Sequence, residues 1–131
     1  MTRRQEIESI IIGTILSSYS GENYLNDCKS CITASMFSDE RNGVIYNKAI
    51  EMQKAGYETI TPYHIVVHDN RMMQYASYMC ELASDWYFLH KKVMYNERQW
   101  LWAITHNYKP KYTEVMFTDY VNRFIQLVFS S

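Results

Sequence analysis

The scarcity of glycine and proline constrains the fold of this chain more than any other feature. Its 131 residues include only four glycines and two prolines. Because these residues break helices and form tight turns, a chain with so few of them has few turns and long elements. The length fits one domain with a sizeable core, and 47% hydrophobic with 21% charged residues is ordinary for a globular protein. We therefore predict a single all-α domain.

The spacing of apolar residues places the helices along the chain. Ile7, Ile11 and Ile15 recur every four residues, which predicts a first helix over about residues 4–19, ended by Ser20-Gly21. Asp39 and Thr61 have side chains that accept hydrogen bonds at helix N-termini, and a proline follows Thr61 directly. The further predicted helices cover residues 22–32, 40–55, 62–68 and 71–83.

Gly13 stands in the middle of the first helix, in "EIESIIIGTIL". A glycine inside a helix costs about 1 kcal/mol relative to alanine. We predict that Gly13 lets a neighbouring helix backbone approach closely; the alternative is a surface glycine that the helix tolerates. Glu6 and Glu8 are interpreted as first-turn acids that favour the helix dipole.

The last third of the chain has a different character from the rest. Apolar residues at three- and four-residue spacing lie on both sides of the break at residues 107–111. The pattern predicts a long antiparallel helical hairpin over about residues 85–131, after a compact multi-helix bundle, or head, over about 1–84. Such a hairpin exposes apolar surface on more than one side, which favours self-association. The residues predicted to form that contact are Trp86, Val93, Trp100, Phe117, Tyr120, Phe124 and Leu127.

Four short segments occur in an order and spacing that match one protein family. They are "EIESIIIG" (Glu6, Glu8, Ile12, Gly13), "FSDERNGVIY" (Phe37, Ile45, Tyr46), residues 55–65 (Ala55-Gly56, Ile60-Thr61, Ile65) and "YMCELA" (Tyr78 to Ala83). Together they resemble the N-terminal domain of the DnaB-like replicative DNA helicases. The chain departs from the family pattern at Ser38, where an aromatic residue is usual, by one residue inserted near 57–60, and in a linker shortened to Ser84-Asp85.

The resemblance implies a non-catalytic interaction module of DNA replication. In that family the domain forms a collar above the helicase motor, so the expected partners are a second copy of the chain, a primase, a helicase loader or a helicase motor. A phosphate-binding loop needs two glycines five positions apart followed by Lys and Ser or Thr, and the glycines at 13, 21, 43 and 56 do not supply it. We therefore expect no enzymatic activity and no cofactor in this chain. A longer parent protein would be an ATP-dependent helicase.

Cys28-Lys-Ser-Cys31 and the pair His64 and His68 have spacings seen in metal sites. The long gap between the two pairs does not fit a compact zinc site, and Cys28 falls on the apolar face of its predicted helix. We predict a structural cysteine and no metal.

Residues 90–112 combine basic and aromatic side chains, with five Lys or Arg against one Glu. Three interpretations stay open: the solvated outer face of the hairpin, a protein interface, or a weak site for single-stranded DNA. The last defines the alternative function, a small DNA-binding or regulatory protein. The candidate contact residues are Lys91, Lys92, Arg98, Trp102, Lys109 and Lys111.

The sequence also predicts where the protein is found. The basic start of the chain is followed by no apolar run of signal-peptide length, and no run is long enough for a membrane span. The cysteine count is odd, which suits a reducing compartment. We expect a cytoplasmic protein without a membrane partner.

Overall fold

The protein is all-α. The computed structural model describes residues 2–16, 24–83 and 112–130, and within these ranges the chain forms helices and no strand. The α-helices are α1 (Arg3–Leu16), α2 (Leu25–Cys28), α3 (Glu40–Lys54), α4 (Pro62–His68), α5 (residues 76–83) and α6 (Tyr112–Phe129). Two 3-10 segments, Ala34–Met36 and Asn70–Tyr75, lie between them. The predicted all-α class is confirmed, and the long helical hairpin stays a prediction because residues 84–111 lie outside the described residues.

Helix α1 carries the apolar stripe that its spacing predicted. Ile7, Ile11 and Ile15 are all buried, and α1 packs against both α3 and α6. Gly13 is buried as well, which contradicts the surface alternative. Close approach of a helix backbone at Gly13 stays a prediction, and the predicted end of the helix at Ser20-Gly21 lies outside the described residues.

Helices α3 and α4 begin where the sequence predicted. The carboxylate of Asp39 accepts a hydrogen bond from the backbone N–H of Arg41, and the hydroxyl of Thr61 accepts one from the backbone N–H of His64. Helix α3 ends at Lys54 and is followed by Gly56 at φ 99°, a left-handed conformation that favours glycine. Both predicted caps are confirmed. They could be predicted because a cap depends on one side chain and the backbone next to it.

Two predicted helices differ from the structure. Helix α2 ends at Cys28 and residues 29–31 form a turn, after which the chain leaves the helix direction. The N–H groups of Cys31 and Ile32 both donate to the Cys28 carbonyl. Ile32 therefore enters the core from a turn and not from a helix face. The predicted helix 71–83 begins as a 3-10 segment and becomes α-helical only after Tyr75.

Aromatic rings join α6 to the rest of the core. The ring centroids of Tyr24 and Phe117 are 5.0 Å apart, and those of Phe37 and Phe124 are 5.2 Å apart with the rings stacked. Phe37 also lies 5.2 Å from the ring of Tyr46 on α3. Helix α6 therefore contributes to the same core as the predicted head, and the boundary between head and hairpin stays a prediction.

Candidate functional site

The described residues expose four large apolar side chains, and three of them lie in one segment. Tyr63 is 74% exposed, Val67 65% and Met73 57%, whereas the fourth, Phe129, lies at the end of α6 with 73% exposure. Tyr63 and Val67 are four residues apart on α4, so they share one helix face, while Ile65 between them is buried. Met73 belongs to the 3-10 segment that packs against α4. We name Tyr63, Val67 and Met73 the α4 surface.

Charged and polar side chains connect the segment that carries the α4 surface to helix α3. Lys48 on α3 places its Nζ 2.9 Å from an Asp69 carboxylate oxygen and 2.7 Å from one of Glu51. His68 at the end of α4 lies with Nε2 3.2 Å from Glu51 and Nδ1 3.3 Å from the Tyr57 hydroxyl. We name Lys48, Glu51, Tyr57, His68 and Asp69 the joint network. It spans α3, the end of α4 and the start of the 3-10 segment.

Asp69 has several roles in this network. Its carboxylate accepts hydrogen bonds from the backbone N–H of Arg71 at 3.1 Å and from the Arg71 guanidinium at 3.0 and 2.9 Å, besides pairing with Lys48. The hydrogen bonds from Arg71 and then from Lys48 hold the pKa of Asp69 well below its ordinary value. Hydrogen bonding from Lys48 and then His68 lowers the pKa of Glu51 as well.

A second polar joint connects α1 to the start of α3. The carboxylate of Glu8 is fully buried and accepts hydrogen bonds from the hydroxyl of Ser38 and, at 3.3 Å, from the backbone N–H of Asp39. Arg4 lies with Nε 3.7 Å from Glu8, an ion pair without a hydrogen bond, and donates from Nη2 to the Met36 carbonyl. Sequence reasoning missed this role for Glu8. The signal was its position three residues before Ile11, on the apolar face of α1.

A third polar group joins α3 to α5. The guanidinium of Arg41 lies 3.7 Å from the centre of the Tyr78 ring, and the Tyr78 hydroxyl donates to the side-chain oxygen of the buried Asn42. Burial raises the pKa of Tyr78, and the hydrogen bond from Arg41 lowers the pKa of Asp39. Arg41 is therefore held between a carboxylate and an aromatic face, and it orders the contact between the two helices.

Side chains of the cysteine and histidine pairs contact other residues of the fold. Cys28 is fully buried near the Tyr46 hydroxyl, and burial raises the pKa of its thiol to about 12, so the thiol is protonated at neutral pH. Cys31 is exposed. Nδ1 of His64 lies 2.6 Å from the Thr61 hydroxyl, and His68 belongs to the joint network. Within residues 2–16, 24–83 and 112–130, no group of three His, Cys, Asp or Glu side chains is arranged to hold a metal ion.

The structure corrects part of the predicted self-association surface. Phe117 and Phe124 are fully buried in the core of their own chain, because their rings pack on Tyr24 and Phe37, and in this conformation they are not available to a second copy. Tyr120 and Leu127 are partly buried beside the core, and their role in self-association stays a prediction.

The other predicted site residues lie outside the described residues. They are Trp86, Val93 and Trp100 for self-association, and Lys91, Lys92, Arg98, Trp102, Lys109 and Lys111 for partner or DNA contact. Their roles stay predictions.

Comparison with protein-family models, curated proteins and solved structures found no match to the chain. The resemblance to the DnaB-like N-terminal domain therefore rests on the four segments quoted above. In the part of the chain that the structure describes, no helix combines the length and apolar character needed to cross a membrane.

Proposed function

We propose that the protein is a non-catalytic interaction module of DNA replication, of the kind found at the N-terminus of DnaB-like helicases. It associates with itself and docks a primase, a helicase loader or a helicase motor in the cytoplasm. The observation that carries the proposal is the α4 surface, where Tyr63, Val67 and Met73 expose apolar side chains within one short segment.

The chemistry of the α4 surface suits protein binding. Clustered apolar side chains on a surface mark interaction sites more often than scattered ones do, and tyrosine is enriched among residues that contribute most to binding. Two side chains four residues apart on a helix can enter neighbouring pockets of a partner. The joint network connects this helix to α3, so a partner meets the two side chains on a helix that is already formed.

Several residues quoted for the resemblance lie in the core or connect helices, which supports the same proposal. Phe37, Ile45 and Tyr46 are core residues, and Tyr78 contacts the start of α3 through Arg41 and Asn42. Glu8 joins the first quoted segment to the second. The family-like spacing therefore coincides with the contacts that assemble the helices.

Light scattering coupled to size-exclusion chromatography tests the self-association. We expect the wild-type protein to exceed the monomer mass as its concentration rises, and the double variant Tyr63→Ser, Val67→Ser to stay monomeric. Phe129→Ser is the matched control, because Phe129 is 73% exposed but lies outside the α4 surface. A wild-type monomer at high micromolar concentration would reject self-association. An equal effect of the control would reject the α4 surface as its site.

Binding of single-stranded DNA through residues 90–112 is the alternative function. It predicts oligonucleotide affinity that falls steeply with salt and is lost on changing Lys91, Lys92 and Trp102. Affinity that survives those changes would reject this alternative.

A further inference from the structure

We propose that residues 61–75, which carry the α4 surface, open from the rest of the protein as one local unit, with the ion pair between Lys48 and Asp69 as its latch. A partner that binds the closed α4 surface then also holds the unit closed. This second consequence rests on the proposed function, whereas the opening itself does not.

The unit contributes few side chains to the core. Of its fifteen residues only Thr61, Ile65 and Met72 are buried, whereas eight of the fourteen residues of α1 are buried. A seven-residue α-helix and a six-residue 3-10 segment are too short to be stable without tertiary contacts. Local opening free energies follow the amount of buried apolar contact, so this unit should open more readily than α1 or α3.

Polar contacts with α3 also hold residues 61–75 in the closed state. The side chains of Lys48 and Asp69 are only 14% and 13% exposed, and their charged atoms are 2.9 Å apart. Because the same carboxylate caps the 3-10 segment through the Arg71 N–H, loss of the Lys48 contact also loosens the start of that segment. Glu51 and His68 add a second contact between α3 and α4, but the Glu51 side chain is 57% exposed and its ion pairs are weakened by salt.

The partial burial of the ion pair between Lys48 and Asp69 determines how much it contributes as a latch. A partly buried ion pair is screened less than an exposed one and contributes more. Removing one charge leaves the other with only a more exposed partner, Arg71 for Asp69 and Glu51 for Lys48. Removing either charge should therefore favour the open state of residues 61–75 without affecting helices that do not contact the pair.

Hydrogen exchange of the backbone amides, measured at a concentration where the protein is monomeric, tests the proposal. In the wild-type protein we expect the amides of residues 64–75 to exchange at least about tenfold faster than the buried amides of α1. The variant Lys48→Met, which keeps the length of the side chain, should accelerate exchange in 64–75 by a further factor of about ten. Asp69→Asn should act in the same direction, since its amide oxygen can still cap the 3-10 segment but carries no charge.

The control is Arg123→Met, which removes the exposed ion pair with Asp119 on α6 and should leave exchange in 64–75 unchanged. Equal exchange of 64–75 and α1 in the wild-type protein would overturn the proposal. Acceleration spread evenly over the molecule in Lys48→Met would also overturn it, because that pattern indicates global destabilisation. If Lys48→Met fails to fold, Asp69→Asn replaces it: acceleration confined to residues 64–75 supports the proposal, and acceleration spread evenly over the molecule overturns it.

Failure of this proposal is distinguishable from failure of the proposed function. Exchange in the monomer reports the opening alone, and light scattering reports association alone. If both hold, exchange in residues 64–75 should slow as the protein associates, since binding to the closed state stabilises that state.

Discussion

At the scale of single residues, Glu8 shows how position on a helix face changes the role of a side chain. Glu6 and Glu8 are two residues apart, yet Glu6 is exposed and Glu8 is fully buried. The buried carboxylate is stabilised because it accepts hydrogen bonds from Ser38 and from the backbone of Asp39. One carboxylate thus orients the start of α3 relative to α1.

Replacing Glu8 by alanine should lower the free energy of unfolding by about 2–3 kcal/mol, because two hydrogen bonds to a buried, charged acceptor are lost. Glu6→Ala is the matched control and should change it by less than about 0.5 kcal/mol, since Glu6 is exposed. Urea unfolding followed by circular dichroism measures both. Equal losses in the two variants would contradict the proposed role of Glu8.

The three cysteines should differ in reactivity. Cys28 is buried with a pKa of about 12, whereas Cys31 and Cys80 are exposed. Relative to its ordinary value of 9.0, the raised pKa lowers the thiolate fraction of Cys28 about a thousandfold at neutral pH. In the folded protein at pH 8, a thiol-specific reagent should therefore modify Cys31 and Cys80 quickly and Cys28 only after denaturation. Rapid labelling of Cys28 in the native variant Cys31→Ser, Cys80→Ser would contradict this.

At the scale of elements, the sequence predicted helix starts well and helix continuity poorly. Asp39 and Thr61 were identified because a cap depends on one side chain and the backbone next to it. The early end of α2 and the 3-10 form of residues 70–75 accompany contacts with α3: the Tyr46 hydroxyl donates to the Ile32 carbonyl, and Lys48 pairs with Asp69. Asp69, for example, caps the 3-10 segment while bonded to Lys48, which is distant in sequence and cannot be inferred from periodicity. The joint network was missed for the same reason.

Acid should destabilise the contact between α3 and residues 61–75. The folded state lowers the pKa of Asp69 below its ordinary 3.8, and it lowers the pKa of Glu51 below its ordinary 4.5. For a carboxyl group with a lowered pKa, the stability it contributes is fully present above the unfolded-state pKa and is lost as the pH falls through the folded-state pKa. We therefore expect the free energy of unfolding to be steady near neutral pH and to decrease below about pH 4.

Urea titrations at a series of pH values measure this decrease. In Asp69→Asn the decrease should be smaller, because the variant lacks one of the carboxyl groups that must take up a proton. A variant that follows the wild-type acid dependence would show that Asp69 does not contribute to it.

At the scale of the whole molecule, the core joins the first described helix to the last. Ile7, Ile11 and Ile15 of α1 belong to one apolar cluster with Phe117 and Phe124 of α6. The heptad-like spacing of α6 correctly predicted a helix with an apolar face, but it assigned that face to a second copy of the chain. Periodicity defines which side chains share a face and carries no information about what covers it. That is why the fold class could be predicted from the sequence and the burial of Phe117 and Phe124 within their own chain could not.

A pair of variants distinguishes a core residue of α6 from a surface residue of α4. Phe124→Ala removes a fully buried ring stacked on Phe37 and should lower the free energy of unfolding by about 3–5 kcal/mol, since it leaves a cavity. Tyr63→Ser changes an exposed side chain and should shift it by less than about 0.5 kcal/mol while weakening self-association. Urea unfolding at low concentration, where only monomer is present, measures the first effect, and light scattering of the folded protein measures the second. An unchanged stability in Phe124→Ala together with lost association would reverse the assignment, because it would place α6 at the interface between copies instead of in the core.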